Sequence, residues 1–402
     1  MKRRLLGFTL VIALVLGILT ACGGTAPGTA PAASTPAQST QAASQTPTTP
    51  TAKKDPIEIA VICTSLTGAL ATNGEYMMDG INMALEEING AGGINGADLK
   101  VTFLDDQVKS PEAINAVKKA VSEMKVPVIL GSDSSGLVLA SMPFAAEAKV
   151  PQVVSGTNIR ITAQGIETIF RMRASDAIAS KILGEYVYNQ GHKKIAFMYT
   201  NEDYGKGFMQ ATDEILKGLG AETVATETCN IGDTDFTAQI LNIKEAKPDV
   251  MLVLGKEVET AKFLRQGREL GLKVPTYGGS PLGLDYVLEL AGADALEGVR
   301  IVTHFLPQDT DPVVAEFVKK YEAKYNVQPS THSVCYYDAT KLVAEVMKKY
   351  GTAKEDIAKG LHEIEYTGVQ SKFKSDEKGE LVTKQVIGEF KNGKWSVADK
   401  VE

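Results

Sequence analysis

The side chains best suited to chemistry in this sequence are small hydroxyls that follow short apolar runs. Ser135 lies in the glycine- and serine-rich segment 131–136, and Ser155 and Thr157 follow the apolar residues 153–154. Hydroxyls and free backbone N–H groups can surround an anion without crowding where parallel strands end and helices begin. The three residues therefore predict a site for a small zwitterion or carboxylate. Capping of helices and turns would use the same residue types and the same amides, so the two interpretations are compatible.

The elements that must position these residues alternate along the chain. Apolar residues at helical spacing follow a strand at 57–63, and further strands are predicted at 99–104 and 126–130. A helix is expected to start at Ser110–Pro111, with the serine as its capping residue. The second half repeats the rhythm, with predicted strands at 195–199, 223–228, 250–254 and 274–277, helices at 235–246, 257–270, 312–325 and 333–350, and a hairpin over 384–397 that turns at Asn392-Gly393. This order predicts an α/β protein with parallel-rich sheets in two lobes.

The first residues of the chain indicate its compartment. A basic start, residues 2–4, precedes an apolar stretch at 5–19 that is too short for a typical membrane span. Leu19-Thr20-Ala21-Cys22 resembles the bacterial lipobox, so residues 1–21 are predicted to be a lipoprotein signal peptide and Cys22 to carry lipid. An ordinary secretory signal followed by an incidental cysteine is the alternative. The expected location is extracytoplasmic, anchored to the cell membrane by lipid.

A low-complexity segment follows the cysteine. Residues 23–52 contain no charged and no aromatic side chain, and they are mostly Ala, Pro, Thr, Ser and Gln. Such a composition buries too little apolar surface to offset chain entropy. Residues 22–54 are therefore predicted to be the lipidated cysteine and a disordered linker.

Composition and motifs argue against several classes of function. The net charge of −7 and the pI of about 5.4 argue against a nucleic-acid partner. The sequence lacks the nucleotide-binding, zinc-protease and serine-hydrolase motifs, and its four histidines lie at spacings that suit neither a metal site nor a triad. We therefore expect no cofactor, no metal and no enzymatic activity. The cysteines other than Cys22 are predicted to be buried thiols, although one disulfide remains possible.

From about residue 56 to its end, the chain resembles the substrate-binding lipoproteins of branched-chain amino acid ABC transporters, the leucine/isoleucine/valine-type group. The matching stretches are Leu66-Thr67-Gly68, Asp79-Gly80, Ile88-Asn89, residues 92–96, Asp105-Asp106, residues 131–136, Val150-Pro151, Ser155-Gly156-Thr157, Asp203-Tyr204-Gly205 and Asp235-Phe236. The resemblance implies the type I periplasmic binding protein fold, with two Rossmann-like lobes joined by three crossovers. Lobe one would comprise 56–174 plus 303–368, and lobe two 175–302 plus 369–402.

The resemblance also implies which residues touch a ligand. The family positions that hold the ligand carboxylate fall on Ser135, Ser155 and Thr157, and the tyrosine that closes from the second lobe falls on Tyr204. The chain departs from the pattern at Asn73, which replaces a tyrosine, and at Lys256, which lies near an aromatic position. Lys256 indicates either a second acidic group on the ligand or a solvated strand-end lysine.

The most informative departure concerns the ligand ammonium. The acid that pairs with it in the leucine-binding relatives aligns with Pro281. A desolvated ammonium without its carboxylate would lose several kcal/mol of binding energy. Either another acid takes over, with Asp133, Glu202, Glu257 and Asp285 as candidates, or the ligand is not an α-amino acid.

These observations predict a solute-binding lipoprotein of an ABC importer. Its ligand would be a branched-chain or related amino acid, or a small carboxylate, held in a cleft between the lobes, and its protein partners would be ABC permease subunits. A ligand-sensing receptor domain for amides or organic acids is the alternative. An enzyme on the same fold rests on fold-level analogy only.

The lipobox interpretation yields a direct test. Cys22→Ala removes the predicted lipid acceptor, so the variant should accumulate as uncleaved precursor or leave the membrane fraction. Fractionation of cells followed by mass spectrometry of the N-terminus measures both. Recovery of a processed, membrane-bound Cys22→Ala protein would contradict lipidation at this residue.

Overall fold

The computed structural model describes residues 54–63, 66–67, 71–381 and 384–401. The predicted signal peptide, Cys22 and nearly all of the predicted linker lie outside these residues. The described part forms one compact unit by its internal contacts.

The first sheet is entirely parallel. Its strands are β1 (Lys54–Cys63), β2 (Ala97–Asp105), β3 (Ile129–Leu130), β4 (Gln152–Val154) and β5 (Ile169–Arg171). They lie in the order β2-β1-β3-β4-β5, with Ala60 opposite Ile129 and Leu130 opposite Val153. The last five residues of β1 are fully buried, as expected for a central parallel strand covered on both faces. The strand predicted at 126–130 is confirmed only for its last two residues.

The second half of the chain contains a larger sheet and a small strand pair. The strands are β6 (Lys194–Thr200), β7 (Glu222–Cys229), β8 (Val250–Leu254), β9 (Thr276–Gly279), β10 (Arg300–Thr303), the pair β11 (Glu365–Thr367) and β12 (Lys372–Lys374), and then β13 (Gln385–Lys391) and β14 (Lys394–Val401). The order in the larger sheet is β14-β13-β10-β9-β8-β6-β7. Its strands are parallel except for the hairpin β13–β14, where Asn392 and Gly393 adopt the positive φ angles of a two-residue turn. The predicted hairpin is confirmed.

Helices cover both sheets. They are α1 (Ala71–Gly90), α2 (Ser110–Lys118), α3 (Ser135–Glu147), α4 (Asp176–Asn189), α5 (Asp203–Gly218), α6 (Thr237–Ala246), α7 (Glu257–Glu269), α8 (Asp285–Ala291), α9 (Ala293–Leu296), α10 (Pro312–Tyr325), α11 (Thr331–Tyr350) and α12 (Lys354–Glu363). α2 begins at Ser110, but Lys109 is its N-cap and no side chain caps it, so the predicted capping role of Ser110 is wrong. No helix in this described part is both long and apolar enough to cross a bilayer.

Each sheet has its own apolar core. Helices α1, α10, α11 and α12 contribute to a core on the first sheet, through residues such as Met77, Phe317 and Leu342. The second sheet packs against α6 and α7 on one face and α4 and α5 on the other. Phe373 and Leu381, which the resemblance assigns to lobe two, pack in the first core. We therefore propose that the third crossover lies between residues 381 and 385.

Two further features bear on stability. Arg171 is fully buried and pairs with Glu380, while its other donors reach the carbonyl of Asn158 and the hydroxyl of Thr162. Cys63, Cys229 and Cys335 are buried free thiols, as the sequence favours.

Helices α1 and α11 approach each other closely at Gly80. A Cβ atom there would lie 2.1 Å from the carbonyl oxygen of Ser333, whereas one at Gly90, in the same helix, would meet nothing within 4 Å. Ser333 belongs to the capping box with Ser330 that starts α11. The backbone of α11 cannot yield there without disturbing this cap.

We expect Gly80→Ala to destabilise the fold by roughly 1–3 kcal/mol, the usual cost of overpacking. Gly90→Ala is the matched control and should be neutral or slightly stabilising, because alanine is the better helix former. Urea unfolding of both variants measures the difference in unfolding free energy. Equal stability of the two variants would show that α1 and α11 can separate freely.

Candidate functional site

A small polar cavity lies where the carboxyl ends of strands from both sheets meet. Residues that follow strands of the first sheet line one side, and residues that follow strands of the second sheet line the other. The start of α11 completes the wall. The lining residues are Asp133, Ser135, Thr157, Arg173, Tyr204, Lys256, Glu257, Ser280, Pro281, Thr331 and His332. Four of the six predicted ligand-binding residues are among them.

Ser135 presents a hydrogen-bond donor to this cavity. It is the first residue of α3, and its Oγ accepts the backbone N–H groups of Thr157 at 3.2 Å and Asn158 at 3.1 Å. A hydroxyl has two lone pairs and one hydrogen. With both lone pairs used, Ser135 can only donate further, which suits an acceptor such as a carboxylate.

Ser155 does not line the cavity. Its hydroxyl lies 3.1 Å from the phenol oxygen of Tyr336 on α11 and is buried with it. The geometry therefore does not support the predicted contact between the Ser155 side chain and a ligand. Ser155 contacts Tyr336, whereas Thr157 lines the cavity.

Tyr204 and Lys256 come from the second sheet. Glu202 caps α5 by accepting the N–H groups of Tyr204 at 2.8 Å and Gly205 at 2.7 Å. This cap holds the tyrosine ring, which lies 5.6 Å from the Lys256 ammonium. Gly279 leaves room for the phenol, since a Cβ there would lie 2.7 Å from its oxygen. Burial works against the charged form of Lys256, but Glu202, Glu257 and Asp133 raise its pKa, so it remains protonated.

A buried histidine joins two carboxylates in the wall. Nδ1 of His332 lies 3.1 Å from Oδ2 of Asp133, and Nε2 lies 3.9 Å from Oε1 of Glu257. Asn73 donates to the same Glu257 oxygen at 3.1 Å and accepts from the Tyr286 hydroxyl at 3.0 Å. Asn73 thus supports the site through Glu257 and does not line the cavity.

These contacts set the charges of the group. Burial lowers the pKa of His332, but hydrogen bonds to Asp133 and Glu257 more than offset it, and the net shift is upward. Burial raises the pKa of Glu257, but His332 and Lys256 reverse this and lower it overall. Glu257 is therefore ionised at neutral pH, and the protonated form of His332 is favoured beside it.

The acid missing at Pro281 has neighbours that can replace it. Pro281 lines the cavity, and so do Asp133 and Glu257. Both carboxylate oxygens of Glu202 accept hydrogen bonds in the cap of α5, and Asp285 lines a separate small cavity. Of the four candidate acids, two therefore reach the site.

Sequence reasoning missed His332 and Arg173. The spacing of the four histidines gives no indication of a site, yet His332 is 5% exposed at the second residue of α11 and lines the cavity. Arg173 lies two residues beyond β5 and donates to Ser280 Oγ at 2.7 Å, so it reaches across to the second sheet's side. The available signal was the occurrence of two arginines, Arg171 and Arg173, in the otherwise apolar stretch 169–174, since charged residues are seldom buried without a partner.

Comparison with known proteins identifies the family that has this architecture. A model of the periplasmic binding protein family matches residues 56–394. The chain is 28% identical over 319 residues to the Leu/Ile/Val-binding protein homolog 1 of Brucella abortus, covering 78% of this chain and 85% of that protein. It is 29% identical over 332 residues to the leucine-, isoleucine-, valine-, threonine-, and alanine-binding protein of Pseudomonas aeruginosa, covering 81% and 87% respectively.

Solved structures agree with the sequence comparison. The branched-chain amino acid transporter substrate-binding protein LivJ of Streptococcus pneumoniae, in complex with isoleucine, superposes with a TM-score of 0.80 at 29% identity, covering 86% of this chain and 99% of that one. The leucine-binding protein LivK of Thermotoga maritima superposes with a TM-score of 0.79 at 28% identity and equal coverage. The two-sheet α/β architecture with its cavity at the strand ends is thus the type I periplasmic binding fold, and this chain belongs to the periplasmic binding protein family.

Proposed function

We propose that this protein is the extracytoplasmic substrate-binding component of an ABC importer for a small amino acid or a related carboxylate. The observation that carries the proposal is the small polar cavity in which the Ser135 hydroxyl can only donate and a Glu257 oxygen can only accept. Membership of a family of transport receptors, with relatives named for leucine, isoleucine and valine, supports the same conclusion.

The carboxylate of the ligand binds at Ser135 and Thr157. Both side chains line the cavity and are buried, with 2% and 8% of their surface exposed. A hydrogen bond from a hydroxyl to an ionised oxygen is stronger in such a dry site than in water. Neutral donors suffice to hold one carboxylate here.

The ammonium of the ligand binds at Glu257. Its Oε2 atom is buried and accepts no hydrogen bond from any other residue in the described part of the chain. An unsatisfied carboxylate oxygen in a cavity wall is costly unless a donor arrives. Glu257 thereby pairs with the ligand ammonium, which in the leucine-binding relatives is the role of the acid that aligns with Pro281.

Ligand binding closes the two sides of the cleft. Several contacts already join them: Asn73 to Glu257, the Asn158 amide to the backbone of Asp203, and Arg160 to the Asp203 carboxylate at 3.2 Å. The Arg160 pair is largely exposed and contributes little by itself. A ligand that bonds to both walls shifts the population towards this arrangement, and the joint surface is what a permease would recognise. Lipid on Cys22 would keep the receptor near that permease.

The proposal predicts stabilisation and compaction by ligand. At a hundredfold excess over its Kd, a bound amino acid should add about 2.7 kcal/mol to the unfolding free energy. A thermal-shift screen of amino acids and small carboxylates identifies the ligand, and small-angle scattering should then show a smaller radius of gyration. A ligand that stabilises the protein without compaction would contradict closure and favour a rigid receptor domain.

The hydroxyls give a residue-level prediction. Ser135→Ala removes a donor to an ionised group and should weaken binding by roughly 1.5–3 kcal/mol, as titration calorimetry would measure. Ser155→Ala should lower stability through the lost contact with Tyr336 but leave affinity almost unchanged. A larger affinity loss in Ser155→Ala than in Ser135→Ala would restore the sequence-based role of Ser155. The control is Ser122→Ala, because Ser122 lies at an exposed position shortly after the end of α2.

A further inference from the structure

Two cations line the cavity from opposite sides, and neither forms an ion pair with a carboxylate of the described residues. Lys256 directly precedes α7, on the second sheet's side, and Arg173 follows β5, on the first sheet's side. A buried charge is normally in direct contact with an opposite charge, because removing it from water costs several kcal/mol. Both side chains can therefore accept an anionic group of the ligand as a direct partner.

Lys256 has no ion pair within the described residues. It is 9% exposed, and no described carboxylate oxygen lies within the 4.0 Å limit of an ion pair. The neighbouring acid Glu202 uses its oxygens to accept two backbone N–H groups and the Thr200 hydroxyl. Its field acts on Lys256 only from a greater distance.

Arg173 is similarly unsatisfied. One nitrogen donates to Ser280, but Nε is buried and finds no acceptor among the residues that the structure describes. Arg171, two residues earlier, shows what a satisfied arginine looks like in this fold, with Glu380 paired to two of its nitrogens. The contrast with Arg171 indicates that Arg173 is positioned to donate to an acceptor on the ligand.

The two acids in the wall act on Lys256 through their charge but have their direct contacts elsewhere. Asp133 and Glu257 both face His332 and engage it. A ligand with one carboxylate and one ammonium would satisfy Ser135 and Glu257 and leave Lys256 and Arg173 without a directly bound anion. A second anionic group on the ligand would supply that contact.

We propose that the ligand is an α-amino acid with an acidic side chain, whose second carboxylate binds between Arg173 and Lys256. This inference rests on the proposed function and narrows its substrate class. The α-carboxylate lies at Ser135 and Thr157, and the ammonium lies at Glu257. Arginine offers a planar pair of donors to a carboxylate and lysine a point charge, so the two can share one carboxylate from different directions.

The test compares acid and amide ligands of equal size. Titration calorimetry on the purified protein uses L-glutamate, L-aspartate, L-glutamine and L-leucine. Glutamate or aspartate should bind at least tenfold more tightly than the amide or leucine. In Lys256→Gln the affinity for the acid should fall about 10- to 100-fold, the range for a charged hydrogen bond, with little change for glutamine. Lys319→Gln, at an exposed position on α10, should leave both affinities unchanged.

A second readout separates a ligand contact from a purely structural role. Glu202, Glu257 and Asp133 hold Lys256 in its charged form, so Lys256→Gln should lower the melting temperature of the ligand-free protein. The rise in melting temperature caused by a fixed concentration of L-glutamate should also be smaller in the variant than in the wild type, and an unchanged rise would overturn the assignment of Lys256 as a ligand contact.

The outcomes separate the two proposals. Tighter binding of leucine or glutamine than of the acids overturns the acidic class and leaves amino acid binding intact. An equal loss for glutamate and glutamine in Lys256→Gln places Lys256 at the α-carboxylate and also overturns the inference. No binding of any amino acid by the folded protein overturns both the inference and the proposed function.

Discussion

A charge that leaves water must be met by another charge or by several hydrogen bonds, and this requirement governs the cavity. Asp133, Arg173, Lys256, Glu257 and His332 line one small space, and four of the five are at least nine-tenths buried. His332 brings the two acids together and Asn73 steadies one of them, while neither cation pairs directly with a carboxylate of the described residues. Under our proposal the ligand completes this set of charges, and the selectivity of the site follows from the partner that it lacks.

The fold makes this arrangement possible because parallel strands deliver their carboxyl ends to one edge. Asp133, Lys256 and His332 are far apart in sequence, yet each lies within a few residues of a strand end or a helix start. The close crossing of α1 and α11 at Gly80 fixes where α11 begins, and with it the position of His332. Packing between helices therefore sets the geometry of a charge pair in the cavity.

Local patterns predicted much of the fold. The strand at 250–254 and the helix at 312–325 have their expected bounds, and the C-terminal hairpin has its expected turn. These features follow from hydrophobic periodicity and turn residues, which depend on only a few neighbouring positions. The prediction for 126–130 was too long, since a short apolar run does not say how many of its residues pair. Ser135 and Thr157 line the cavity but Ser155 does not, and sequence spacing alone does not reveal which way a loop side chain turns. His332 and Arg173 carry no periodic signal, and only the tertiary structure shows that both line the cavity. The signal peptide, the lipidated Cys22 and the linker stay predictions.

The position of β13 has a consequence for how the chain is made. β10 pairs with β13, joining Thr303 to Val386, so the larger sheet keeps an open edge at β10 until residues 385–391 are available. Pairing over so long a separation forms slowly because the intervening loop must close first. A chain emerging from the ribosome therefore exposes the edge of β10 during the synthesis of the residues that separate the two strands. An unpaired strand edge accepts a strand from another chain, so the partly made sheet is a point at which misassembly can begin.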